Sequence, residues 1–262
     1  MEFYENNTKI SLWFFKNKNK FLKRIIGDSN ESPIRLIKST IPKENGERLN
    51  LHLSEFSTDL GEKIIEKWSD EGDKVFDPFA GRGRMFITYS LNRFYYGCEV
   101  SPKTYNFLIE KINKQNRLFN KYKINLYNID SKKSNFDDNS FDLIFSCPPY
   151  WNIEKYEDVE GQLSNYNNYK DFLFNYEEII KKCYGYLKKD KFAVFVVADF
   201  RKDGYLIPFH SDNINIFEKC GFKLWDIIIV MYKPINLGFG RAQAIEYKRT
   251  IKSHEYILVF KK

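Results

Sequence analysis

The spacing of apolar residues changes along this chain, and each change marks an element. Leu60, Ile64, Ile65 and Trp68 recur at helical spacing behind Ser57-Thr58-Asp59, a sequence suited to capping a helix. Val75 and Phe76 then open a strand that breaks at Asp77-Pro78-Phe79-Ala80-Gly81-Arg82-Gly83, after which Met85, Phe86 and Tyr89 continue with a helical period. Phe94 to Cys98 reads as a second strand ended by Glu99, followed by a helix from about Ser101 to Leu118 with Pro102 in its first turn. Lys123 to Tyr127 is a third strand. The fourth, Phe141-Asp142-Leu143-Ile144-Phe145-Ser146, stops at Cys147-Pro148-Pro149-Tyr150, because prolines have no N–H to donate to a central ladder. A helix over Lys170 to Leu187, a wholly apolar strand over Phe192 to Ala198, and a short helix over Ser211 to Cys220 closed by Gly221 come next. Lys223 to Tyr232 and Glu255 to Phe260 form a last, antiparallel pair of strands. Alternating strands and helices of this kind predict a doubly wound α/β fold, mostly parallel and seven-stranded, with an antiparallel last hairpin.

Three stretches carry no clear core period. In residues 1–50, Ser11 to Ile26 reads as a helix bearing Lys16, Lys18, Lys20, Lys23 and Arg24, a charge run that fits a solvated face or contact with a phosphate backbone. Residues 1–50 are therefore an extension, with the main domain spanning 51–262. Residues 151–169 read as a long loop, a length that usually serves function or is disordered. Residues 233–253 hold Gly238-Phe239-Gly240 and the bases Arg241, Lys248, Arg249 and Lys252.

Composition narrows the class. Hydrophobic residues make up 43% and charged residues 29%, as in a globular protein, and no apolar run approaches the roughly 18 residues that a membrane helix needs. Met1-Glu2-Phe3-Tyr4-Glu5 is not expected to act as a signal peptide, and the four well-separated cysteines form no C-x-x-C pair. A reduced cytoplasmic setting with no metal site is the expectation. The net charge of +7 is compatible with a nucleic-acid partner.

The chemistry sits at the strands' carboxyl ends. Gly81 and Gly83 allow a tight turn and close backbone approach to a ligand, and Glu99 stands where an acid commonly takes ribose hydroxyls. Asp130, after the third strand, is either an Asx turn residue or an acceptor for an adenine amino group. Pro148 and Pro149 aim carbonyl oxygens in a fixed direction beside the Tyr150 ring, an arrangement suited to a planar ligand carrying an amino group.

With these elements in place the chain resembles the S-adenosylmethionine-dependent DNA amino-methyltransferases, which methylate N6 of adenine or N4 of cytosine. Asp77-Pro78-Phe79-Ala80-Gly81-Arg82-Gly83 resembles the family's cofactor motif, Cys147-Pro148-Pro149-Tyr150 its catalytic tetrapeptide, and His254 to Phe260 its last strand. The resemblance covers roughly residues 51–262. It implies a Rossmann-like methyltransferase sheet, S-adenosylmethionine near Asp77, Phe79, Gly81 and Gly83 with Glu99 on the ribose and Asp130 on the adenine, and DNA as partner. It further implies that the Pro148 carbonyl accepts from the target amino group while Tyr150 stacks on a flipped base, with help from Trp151 or Tyr156. Trp151, Arg241, Lys248, Arg249 and Lys252 are the DNA-binding candidates, with 151–169 and 233–253 as target-recognition loops. The family's tetrapeptide usually opens with Asp, Asn or Ser, where this chain has Cys147. That departure admits C5-cytosine chemistry with Cys147 as nucleophile, an RNA or protein substrate, or a relative that binds nucleic acid without catalysis. No nuclease motif is apparent, so a restriction partner is expected on a separate chain.

Overall fold

Phe141–Ser146 is buried at every position, and this strand lies near the middle of a sheet covered on both faces. The computed structural model describes residues 12–15, 56–81, 83–115, 123–153, 157–232, 244–252 and 254–262. In chain order the elements are β1 (Leu12–Phe15), α1 (Thr58–Trp68), β2 (Lys74–Asp77), α2 (Arg84–Ser90), β3 (Phe94–Glu99), α3 (Pro102–Gln115), β4 (Ile124–Asn128), β5 (Phe141–Ser146), α4 (Tyr169–Tyr186), β6 (Leu187–Val197), β7 (Phe200–Lys202), β8 (Tyr205–Ile207), α5 (Phe209–Lys219), β9 (Lys223–Tyr232) and β10 (His254–Lys261). The sheet order is β1-β9-β10-β6-β5-β2-β3-β4, and only β10 runs antiparallel to its neighbours. The expected doubly wound sheet with its antiparallel last hairpin is present, and β1 adds an eighth strand at the edge.

Because successive side chains of a strand face opposite ways, β5 feeds two cores. Leu143 and Phe145 join Leu60, Ile64 and Ile65 of α1, together with Val194, Val196, Ile257 and Val259. Ile144 joins Phe172, Tyr176, Ile180 and Cys183 of α4 and Phe217 of α5 on the other face. A smaller cluster seats α2 and α3 on the outer strands through Met85, Leu108, Ile112, Tyr95 and Leu126. α1 starts where the sequence predicts, with the Ser57 hydroxyl accepting from the Leu60 N–H.

Three departures have physical causes. Leu12–Phe15 is a strand parallel to β9, from Leu12 opposite Ile229 to Phe15 opposite Tyr232, where a helix over Ser11 to Ile26 was expected. Leu-Trp-Phe-Phe suits a pleated strand, and β9 offers an edge that pairing removes. The basic positions from Lys16 to Arg24 lie outside the described residues. Strand β6 begins at Leu187, but its pairing with β5 jumps from Leu187 to Phe192, so the polar residues 188–191 bulge outward and the apolar pattern starts only at Phe192. The hairpin β7–β8 has no counterpart in the apolar pattern.

Among the described residues no helix is long and apolar enough to cross a membrane. No group of three or more His, Cys, Asp or Glu among them could hold a metal ion.

Candidate active site

Strand β2 ends at Asp77, which is wholly buried. A carboxylate out of water needs donors on every side. Arg84, in the first turn of α2, reaches back so that Nε lies 2.8 Å from Oδ2 and Nη2 lies 3.4 Å from Oδ1. Nη2 also donates to the carbonyls of Phe79 at 2.5 Å and Ala80 at 3.1 Å. The Phe79 N–H donates to Oδ1 at 3.1 Å, and the Tyr95 hydroxyl of β3 donates to Oδ2 at 3.1 Å. Ser146, the last residue of β5, donates its hydroxyl to Oδ1. Burial would lower the Arg84 pKa, but the charge of Asp77 and its hydrogen bond outweigh this and hold the guanidinium above its ordinary value. Burial, then the Asp77 charge, likewise raises the Tyr95 phenol, which stays a donor.

The rest of the turn is fixed from outside. Gly81 has φ of 49° and Gly83 has φ of 101°, the left-handed region that the motif's glycines were expected to supply. A Cβ on Gly83 would meet nothing within 4 Å, so conformation and not crowding demands glycine there. Arg82 lies outside the described residues. The Ala80 N–H donates to the Cys98 carbonyl at 2.9 Å, and the Ser131 hydroxyl donates to the Pro78 carbonyl.

Glu99 ends β3 half-buried, with Oε1 accepting from the Ser101 N–H at 2.9 Å. Asp130 acts as the cap of a short 3-10 turn at Ser131–Lys133, its Oδ1 accepting from the Lys132 N–H at 2.9 Å. Gly161 packs against this carboxyl so closely that a Cβ there would come 2.5 Å from Oδ2. Asp130 thus caps this turn through Oδ1, while its Oδ2 lies under Gly161 and 3.6 Å from Lys132 Nζ. Residues 157–165 therefore lie over the ends of β3 and β4, where Glu157 Oε2 also accepts from the Ser101 hydroxyl at 2.7 Å.

Past Ser146 the chain leaves the sheet. Cys147 is half-buried against the α1-side core, in the neighbourhood of Arg84. Pro148 is buried, while Pro149 and Tyr150 are half-buried. The Tyr150 ring meets the edges of Phe200 at 5.9 Å and Phe209 at 6.2 Å between centroids. Trp151 is buried, its Nε1 donating to the Tyr166 carbonyl at 2.8 Å and its ring 5.4 Å from Tyr169. It supports this aromatic cluster from below and does not offer a free stacking face.

β2, β5, β6 and β9 all run in one direction, so the segments after their last residues share one end of the sheet. β9 ends there at Tyr232 and β10 starts there at His254, with residues 244–252 described between them. Lys248 and Lys252 are exposed there, and the Arg249 guanidinium lies 5.0 Å over the Tyr247 ring. Arg241 and Tyr156 lie outside the described residues. The motif reading missed Arg84, Tyr95 and Ser146, because nothing in Gly81-Arg82-Gly83-Arg84 says which arginine turns inward.

Removing one partner of a buried pair leaves the other uncompensated, so Arg84→Met should cost about 3–5 kcal/mol of stability. Adding Asp77→Asn to it should recover part of that loss. Urea denaturation of the wild type, the single and the double variant measures both steps; a single variant as stable as the wild type would remove Arg84 from this role.

The profile of the DNA methylase family matches residues 1–111 and 141–262, taking in the first fifty residues that the motif resemblance left out. The orphan methyltransferase M.BamHII of Bacillus amyloliquefaciens is 28% identical over 130 residues, which are 50% of this chain and 42% of that protein. The type II beta methyltransferase M.BslI of Bacillus sp. (strain NEB-606) is 27% identical over 142 residues, 48% of this chain and 14% of that protein. The matches thus cover less than half the length of either relative. A SAM-dependent methyltransferase from Methanosarcina mazei shares the fold, with a TM-score of 0.50, 13% identity, and coverage of 76% of this chain and 96% of that one. By its matched residues and its sheet, the chain belongs to the N6/N4 DNA methylase family.

Proposed function

We propose that the protein transfers a methyl group from S-adenosylmethionine to the exocyclic amino group of adenine (N6) or cytosine (N4) in DNA. The observation that carries this reading is the bond between Ser146 and Asp77, which locks the exit of Cys147-Pro148-Pro149-Tyr150 to the glycine turn of the neighbouring strand. Strand order reverses at β2, which has β3 on one side and β5 on the other, and a ligand of an open α/β sheet binds in that crevice.

The residues present fit the cofactor. The turn at Gly81 and Gly83 brings backbone close, Gly83 faces open space, and the half-buried Glu99 stands at the end of the next strand. Glu99 would take the ribose hydroxyls and the Gly81–Gly83 backbone the amino acid portion, with Phe79 beside it. Asp130 would approach the adenine from beneath Gly161. When bound, S-adenosylmethionine supplies an electrophilic methyl group on a sulfonium.

The target amino group is a poor nucleophile because its lone pair is delocalised into the base. A hydrogen bond from it to the Pro148 carbonyl would draw it toward a tetrahedral nitrogen and hold it in line for attack. Tyr150, braced by Phe200 and Phe209, would stack on the base, which has to leave the duplex to arrive there. Lys248, Arg249 and Lys252, with Arg241, would contact phosphates, and segments 151–169 and 233–253 would serve target recognition. The reading places the protein in the cytoplasm with its substrate, in line with free cysteines at Cys98, Cys147, Cys183 and Cys220.

A nucleophilic Cys147 needs a positive charge to hold a thiolate. Arg84 lies near it but is already hydrogen-bonded to the Asp77 carboxylate, and that pair offers no net charge. Amino transfer is therefore the better fit.

Cys147→Ser should retain methyl transfer from labelled cofactor to DNA, because serine is of similar size and a better acceptor. Tyr150→Ala should lose roughly 1–3 kcal/mol of stacking, or about 5- to 150-fold in kcat/KM. A dead Cys147→Ser protein that still binds cofactor and DNA would contradict the assignment. Separately, Glu99→Ala should weaken S-adenosylmethionine binding by about 1.5–3 kcal/mol, the worth of a hydrogen bond to a charged group. Unchanged affinity by calorimetry would take Glu99 out of the site.

A further inference from the structure

The β7–β8 hairpin leaves the sheet directly after β6, at the end where Tyr150 sits. Its turn is Asp203-Gly204, with φ of 50° and 86°, the positive pair that a tight two-residue hairpin requires. Arg201 Nη1 donates to the Gly204 carbonyl at 3.2 Å and stiffens that turn. The root is equally fixed. Asp199 Oδ1 accepts from the His210 N–H at 3.2 Å and lies 2.6 Å from His210 Nδ1, tying the residue before the hairpin to the helix after it. Phe200 packs on Tyr150 and on Phe209, 6.0 Å away.

Phe200 pairs with Ile207 and Lys202 with Tyr205, so Tyr205 lies on the same hairpin face as Phe200. Two residues at about 3.4 Å each put it about 7 Å further out, a distance of roughly two base steps. Tyr205 is 79% exposed and Leu206, beside it, is 41% exposed. Lys202 lies directly across from Tyr205 on that face, while Arg201, paired with Leu206, lies on the opposite face of the hairpin. A ring beside a lysine on a projecting hairpin suits a stacked, anionic partner; an apolar protein surface would leave the lysine unmatched.

We propose that this hairpin is a DNA wedge: Tyr205 enters the duplex beside the extruded nucleotide and stacks in the gap, with Lys202 against a flanking phosphate. The inference rests on the reading that the protein methylates a base in DNA. A base drawn onto Tyr150 leaves a hole in the stack, and an inserted side chain offsets the unstacking. Single-stranded DNA has no such hole to fill.

The test measures kcat/KM for methyl transfer on a duplex carrying the mapped target and on the single strand of the same sequence. Tyr205→Ala should lower the duplex to single-strand ratio by about tenfold, while Tyr205→Phe keeps the ring and should preserve it. Cofactor binding measured by calorimetry checks that each variant is folded. A Tyr205→Ala ratio equal to that of the wild type, whether both rates fall or neither does, overturns the wedge. A wild type that methylates no DNA at all overturns the reading beneath it, and the wedge with it, whatever the variants do.

Discussion

A carboxylate buried to the last atom organises this protein. Asp77 would be intolerable in the core without donors, and the fold draws those donors from its own turn, from α2, from β3 and from β5. Satisfying one charge therefore fixes the ends of β2 and β5, the start of α2 and strand β3 relative to each other. Such a pair is weak evidence for net stability, since desolvation offsets much of the attraction. Its consequence is geometric: the glycine turn cannot shift without breaking bonds to the strand that leads into Cys147.

Around that centre the sheet's polarity gathers the remaining parts. Tyr150 is held by a shell of rings, with Phe200 and Phe209 against it and Tyr169 linking Trp151 to Phe200. Tyr169 is itself anchored by its hydroxyl, 2.6 Å from Asp212 of α5. Rings with two rotatable bonds lose little freedom on ordering, which makes this a stiff aromatic platform. The basic segment before β10 and the β7–β8 hairpin emerge at the same end, so a nucleic acid reaching Tyr150 would meet both.

Much of this was legible in the sequence where a local rule had no competitor. The prolines stop β5, the glycines mark positions of positive φ, and Ser57 caps α1, because each requirement is imposed by the backbone alone. What stayed hidden depended on distant partners. Leu12–Phe15 becomes a strand because β9, more than two hundred residues later, has an edge to offer. Arg84 turns inward because Asp77 is buried, and Trp151 is a core residue because the Tyr166 carbonyl meets its indole N–H. The hairpin was foreshadowed by Asp203-Gly204, but Arg201-Lys202 and Tyr205-Leu206 are too short and too mixed to show a period of two.

The most direct measurement of the account is the chemical identity of the product. DNA incubated with the protein and labelled S-adenosylmethionine is digested to nucleosides, and the labelled nucleoside is identified by mass and chromatography. Because the chemistry is assigned to an amino group held by the Pro148 carbonyl, the label should appear in N6-methyladenine or N4-methylcytosine. Label in 5-methylcytosine would mean that Cys147 attacks the ring, and would contradict the account at its centre.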